Sequence, residues 1–152
     1  MKYSKKMRDD FIFETKDWKV YLNPDQYYLG RCRVVVKRGV DRLSDLTNNE
    51  WLDFARLVKK FETGLKKAFM ATMFNWTCLM NNAYQNNPPN PHVHWHVRPR
   101  YKKAVNFEGL KFEDKEFGNH YASGIDRKIP EKVFTEIIKK IRRAMSIANK
   151  SS

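Results

Sequence analysis

The chain has 152 residues, enough for one domain, and sets 30 Lys and Arg against 17 Asp and Glu for a formal charge of +13. Hydrophobic residues make up 41% and charged residues 31%, a balance that fits a packed core and excludes an acidic disordered scaffold. The positive excess points to a polyanionic partner (nucleic acid, nucleotide or an anionic membrane surface) without choosing among them.

No apolar run reaches the about 18–20 residues of a transmembrane helix. The basic start MKYSKKMRDD is followed by no apolar stretch, so the expectation is a cytoplasmic protein without a leader. Cys32 and Cys78 form no CxxC pair, and two thiols are too few for a finger-type zinc site. They read as reduced core cysteines, with one disulfide as the alternative.

In chain order, residues 11–15 and 18–22 read as two short strands rich in β-branched and aromatic residues. Asn23-Pro24-Asp25 marks a turn, and residues 31–38 form a third strand around Val34, Val35 and Val36. Thr47 followed by Glu50 is a capping box. The helix it opens places Trp51, Phe54, Ala55, Val58, Phe61, Leu65 and Ala68 on one face. Residues 73–80 and 92–98 read as the fourth and fifth strands, separated by a polar, Pro-rich loop. Residues 102–126 carry little pattern and read as a long loop with short strand pieces. A last helix starts near Pro130, a favoured first helical position, with Phe134, Ile137, Ile138, Ile141 and Met145 as its apolar stripe. Residues 127–150 hold eight Lys or Arg and two Glu. The clustered strands predict an α+β domain with a mainly antiparallel sheet. No linker divides the chain, so a single domain is expected over 1–152, with its core at about 11–101 and its last helix at about 130–148.

The chemistry concentrates in PHVHWHVRPR. A strand has period two, so His92, His94 and His96 project from one face and Arg98 extends the row until Pro99 disturbs it. Val93, Trp95 and Val97 face the core. Packing alone gains nothing from three clustered imidazoles, which repel when ionised. A metal site is limited by geometry: positions two apart lie about 6.6–6.8 Å from one another, so three rings could meet one ion only with local distortion. No Asp or Glu lies between Phe74 and Asn106 to complete such a site, and no protein-bound metal is expected. Attack on phosphorus fits better. A neutral imidazole is a nucleophile near pH 7, and flanking imidazoles with Arg98 can neutralise phosphate oxygens. His120, in FGNHYASG, lies outside this array, as a loop residue or as a lid over the ligand.

His-Val-His-Trp-His-Val-Arg resembles the signature of the histidine triad (HIT) family. Asn23, the stretch Leu-Gly-Arg-x-x-Val-Val-Val-Lys-Arg, Met80-Asn81 and the order of elements extend the likeness over about residues 12–101. The branch it resembles most is the diadenosine polyphosphate hydrolases. The resemblance implies a five-stranded antiparallel sheet with one long central helix and a C-terminal helix, paired into a homodimer. It implies that His94 attacks the α-phosphorus of a nucleotide, most simply an adenine nucleotide. His96 would contact the phosphate and leaving oxygen, and His92 would orient His94 through its carbonyl. Asn23 and Asn81 would sit by the ribose or phosphate, and the base would lie in an apolar slot between the early strands. No cofactor is implied for the chemistry, although Mg²⁺ can accompany a polyphosphate. Three features depart from the pattern. Arg31 stands where many members have histidine, as a phosphate contact or a surface charge. Arg98 replaces an apolar residue and adds phosphate-binding charge. The loop before the triad carries Pro88-Pro89-Asn90-Pro91, leaving Asn90, or Gln85 further back, to assist the leaving group. Removal of nucleotides from nucleic-acid ends, as in aprataxin-like members, is the less favoured enzymatic alternative. A nucleotide-binding protein without turnover is the other.

Overall fold

The structure, a computed structural model, describes residues 9–150, with side chains described through residue 146. The leaderless reading of residues 1–8 and the outer limits of the expected domain lie outside the described residues.

Five strands form one antiparallel sheet. They are β1 (Phe11–Glu14), β2 (Trp18–Leu22), β3 (Cys32–Val36), β4 (Met73–Thr77) and β5 (His94–Arg100), in the order β1-β2-β3-β5-β4. Helix α1 (Asn48–Phe69) and helix α2 (Glu131–Lys150) complete the α+β architecture. A short antiparallel hairpin, β6 (Val105–Phe107) and β7 (Leu110–Phe112), accounts for the strand pieces expected within 102–126.

Alternation along the strands builds the core. Trp18, Val20, Leu22, Cys32, Val34, Val36 and Val97 are buried on one face, under α1. Both cysteines are free, Cys32 buried and Cys78 half-buried. The capping box closes as expected: Glu50 N–H donates to Thr47 Oγ1 at 3.1 Å, and Thr47 N–H donates to the Glu50 carboxylate at 2.8 Å. The buried arc of α1 differs from the expected one. It runs through Leu57, Phe61, Gly64, Leu65, Ala68 and Phe69, while Trp51 and Ala55 are exposed. The cause is that α1 packs against α2 as well as the sheet. A Cβ on Gly64 would lie 2.8 Å from Met145, so the helices approach closely there.

Pro99 does not end the row, and β5 runs to Arg100. Arg100 C=O accepts from Thr72 N–H on the β4 side, so the alternating Pro99 position points towards β3. The β3 ladder stops at the pair Cys32–Val97, and the missing proline N–H has no partner to lose.

Candidate active site

With Val93 and Val97 fully buried and Trp95 stacked on Phe54 at 5.0 Å, His94 and His96 are turned to the opposite face of the sheet. Their rings lie edge to face, 5.0 Å between centroids. His92 stands just ahead of the strand, where Val93 N–H is held by Val40 C=O at 2.7 Å.

The hydrogen bonds assign the tautomers. His92 Nε2 lies 2.8 Å from Val36 C=O. A carbonyl only accepts, so that nitrogen carries the proton. By the same logic His94 Nδ1, 2.8 Å from His92 C=O, donates its proton and leaves the Nε2 lone pair free. This is the arrangement a nucleophile needs: one nitrogen fixed by a backbone acceptor, the other basic and unengaged.

His96 is different. Burial, then the neighbouring His94, Arg31, Arg98 and Arg33, lowers its pKa from the usual 6.5 to about 4. It is neutral at pH 7. Its Nδ1 is buried without a hydrogen-bond partner among the described residues, so a proton on Nε2 is the cheaper tautomer and that N–H can be offered to a ligand.

Arg98 lies on the same face and is 9% exposed. Its guanidinium sits 3.9 Å over the Tyr121 ring, and its one hydrogen bond among the described residues, to Thr77 Oγ1, is long at 3.4 Å. Among the described residues it has no carboxylate partner. Arg31 is no surface charge. It is largely buried and donates to Asp25 at 2.6 Å, while its Nε has no partner among the described residues. It is close enough to His96 and Arg98 to disfavour their charged forms.

The polar residues named from the sequence are more dispersed. Asn23 Oδ1 accepts from Asp25 N–H at 2.9 Å and shapes the β2–β3 loop. Asn81 is exposed at the start of a 3-10 turn, Asn81–Gln85. Asn90 accepts from Asn86 Nδ2 at 2.8 Å in the exposed loop before the triad. None of the three has a side-chain hydrogen bond to a triad histidine among the described residues.

Several residues escaped the sequence reading. Gln26 is fully buried and spans the β2–β3 loop, donating to the carbonyls of Asn23 and Arg31 and accepting from Gly30 N–H. Gly30 turns there with φ +83°, and a Cβ would meet Leu65 at 2.7 Å, which explains a glycine before Arg31. Arg100 is 1% exposed and fully engaged. It donates to both carboxylate oxygens of Asp114 at 2.7 and 3.0 Å, to Asn75 at 2.9 Å and to Asn119 C=O at 3.0 Å. The alternation that finds the histidines also finds Arg100, but its partners come from residues with no readable pattern.

Two cavities lie near the row, one against β5 and one against the edge strand β4. One, of about 330 Å³, is lined by Tyr21, Arg33, Val35, His92 and His94. The other, of about 540 Å³, lies on the β4 side. Among the described residues, no three His, Cys, Asp or Glu side chains gather into a metal-holding group, and no helix is long and apolar enough to cross a membrane.

Comparison with known proteins agrees with this geometry. The family model described as the HIT domain matches residues 4–103. The chain is 29% identical over 105 residues to a bis(5'-nucleosyl)-tetraphosphatase (asymmetrical) of Schizosaccharomyces pombe; the match covers 69% of this chain and 57% of that protein. The fold resembles a histidine triad protein of Sinorhizobium meliloti 1021, with a TM-score of 0.69 at 19% identity over 89% of this chain and 90% of that one. It also resembles a hypothetical histidine triad nucleotide-binding protein of Sulfolobus tokodaii strain 7, with a TM-score of 0.68 at 15% identity over 93% and 86% of the two chains.

Proposed function

The chain belongs to the HIT domain family, and from that premise we propose that it hydrolyses nucleoside polyphosphates, adenine nucleotides first among them, at the α-phosphorus through His94. The observation that carries the reading is the hydrogen bond from His94 Nδ1–H to His92 C=O, which leaves Nε2 as the free nucleophile.

His94 Nε2 forms a bond to the α-phosphorus, and the bond from that phosphorus to the bridging oxygen breaks, its electron pair leaving with the rest of the polyphosphate. The imidazole becomes cationic, and its Nδ1–H strengthens its bond to His92 C=O. Water then attacks phosphorus, the N–P electron pair returns to Nε2, one proton of the water passes to solvent, and a nucleoside monophosphate leaves with neutral His94 restored. His96, neutral at pH 7, offers its N–H to a phosphoryl oxygen as charge develops. Arg98 supplies positive charge beside it. The cavity bounded by Tyr21 and Val35 takes the nucleoside that stays attached to His94. Asn23, Asn81, Asn90 and Arg31 belong to this reading as substrate contacts. A Mg²⁺ ion carried by the polyphosphate would arrive as part of the substrate. Pairing of two chains is also part of the reading. It is supported by Trp51 and Leu52, exposed on α1 at 37% and 54%, and sedimentation velocity tests it.

The likeness to a tetraphosphatase supports the substrate class, although this chain spans about 57% of that protein's length. The deciding experiment pairs turnover with trapping. His94→Ala should lose at least about 10³-fold in kcat, the scale expected when a covalent nucleophile is removed. The wild-type protein should acquire an acid-labile label from α-³²P-ATP. Turnover near the wild-type rate in His94→Ala would sink the mechanism.

A further inference from the structure

A further cavity, of about 590 Å³, lies away from the histidines. It opens where the end of α1 (Ala68, Phe69 and Met70), residues 102–106 and Lys140 of α2 meet. Its volume falls inside the about 300–1,000 Å³ range of small-molecule sites. His94 opens β5, whereas this cavity lies past Arg100, the last residue of that strand. It shares no lining residue with the cavity beside His92 and His94.

Lys102, Lys103 and Lys140 line it, and no carboxylate does. Among the described residues none of the three has an acidic partner, and the neighbouring Glu136 is taken by Lys139. The negative end of α1 does not account for them, since Lys66 and Lys67 already occupy its last turn. Lys140 is half-buried. Its ammonium lies 5.3 Å from the centre of the Phe69 ring and 5.2 Å from that of Phe107, two rings packed edge to face at 5.3 Å. The rings hold the cation in place without answering its N–H donors as an anion would. Ala68, Met70, Ala104 and Val105 make the rest of the wall aliphatic. Met70 is 81% exposed and holds φ at 61°, in the left-handed region where a helix ordinarily ends on glycine. A large apolar side chain standing in water on a strained backbone adds nothing to the fold. At the rim of an apolar cavity, a flexible thioether can close over an occupant.

The wall offers little to a polar body. Thr72 Oγ1 already accepts from Lys102 N–H at 2.9 Å, and Asn106 supplies the one side-chain amide among the lining residues. A nucleobase carries several donors and acceptors on its edge and would lose their water here without replacement. A hydrocarbon chain loses nothing and gains by leaving water. Charge and shape therefore ask for different halves of one ligand: an anionic head and an aliphatic body. We propose that this cavity binds a single-chain aliphatic carboxylate of the fatty-acid type. The chain lies along Ala68, Met70 and Val105, and the carboxylate meets Lys140, with Lys102 and Lys103 adding charge at the mouth. The site is non-covalent and does not rest on the His94 reading.

Decanoate, titrated by calorimetry into the full chain below its micelle-forming concentration, tests the site. A single equivalent should bind. Decyltrimethylammonium, with the same chain and the opposite charge, should bind at least about tenfold more weakly, the scale of a charge-assisted contact. Acetate, the head without the chain, should fail to compete. Lys140→Glu should weaken decanoate by about tenfold or more. Lys59→Glu makes the same change in net charge at an exposed position of α1 outside the cavity and should stay within about twofold of wild type, because solvent screens a distant charge. Ala104→Trp fills the mouth from an exposed position and should abolish binding. Amide NMR shifts on binding should centre on Thr72, Ala104 and Val105. No binding by about 1 mM, equal affinity for the cationic amphiphile, equal losses in Lys59→Glu and Lys140→Glu, full affinity in Ala104→Trp, or shifts centred on His94 and His96 would each overturn the proposal. His94→Ala should bind decanoate as wild type does, so failure of this site and failure of the catalytic reading show separately.

Discussion

Arg98 and Arg100 stand two residues apart on one strand, on the same face, and both are nearly inaccessible to water. Arg100 has a bidentate carboxylate and two further acceptors. Arg98 has one long hydrogen bond and an aromatic face. Two identical side chains in nearly identical positions thus have opposite tasks. A satisfied guanidinium holds a fold together, whereas an unsatisfied one is a standing cost that an incoming anion can relieve.

That contrast breaks most sharply at Arg100. Arg100→Ala would strand Asp114, whose side chain is 1% exposed, and should cost about 3–5 kcal/mol in urea unfolding. A loss below about 1 kcal/mol would make the two arginines equivalent. Next in size is Arg98→Leu, expected to leave stability unchanged or slightly raised while cutting kcat/KM for a dinucleoside polyphosphate by about 10–100-fold, the value of a charge-assisted contact. A variant that unfolds readily and binds normally would reverse the assignment.

His96 reports on the uncompensated charge around it. Its pKa is lowered in the fold to about 4, so between about pH 4 and 6.5 the unfolded chain binds more protons than the native one. Its contribution to stability is therefore fully present above pH 6.5 and is lost as pH falls towards 4. The slope of unfolding free energy against pH in that window should flatten in His96→Gln. NMR titration should show nucleotide binding raising the His96 pKa, because the ligand's phosphates offset the arginines. An unchanged pKa would mean that the phosphates lie elsewhere. The smallest effect is expected at Gly64→Ala, where the Cβ meets the flexible end of Met145 at 2.8 Å. A loss of about 1–2 kcal/mol is expected, with no change in substrate preference.

The row of histidines was legible because strand alternation is strict. The imidazoles of His94 and His96 can face only one way once Trp95 and Val97 are claimed by the core, while His92, just ahead of the strand, is held by its hydrogen bond to Val36 C=O. The capping box at Thr47 and Glu50 was legible because it is local, and the five strands because their apolar residues are dense. The difference between Arg98 and Arg100 was not. It depends on Asp114, Asn119 and Tyr121, which come from the least patterned part of the chain and are brought back by tyrosine–glutamate and arginine–aspartate contacts. The buried arc of α1 was misplaced for a related reason: periodicity shows an apolar stripe, but not that a second helix will cover its neighbour at Gly64. Arg31 is ambiguous in sequence because the turn at Asn23-Pro24-Asp25 is legible while its closure into an ion pair with Arg31, six residues after Asp25, is not.

The tether from Arg100 to Asp114 and Asn119 also bears on timing. A loop that orders only when its ligand arrives spends part of the binding energy on its own immobilisation and slows capture. Here the loop is fastened by Arg100, which donates to Asp114 and to Asn119 C=O. Entry should then be a single bimolecular event, accelerated by the positive field and slowed by added salt, with no later isomerisation to wait for.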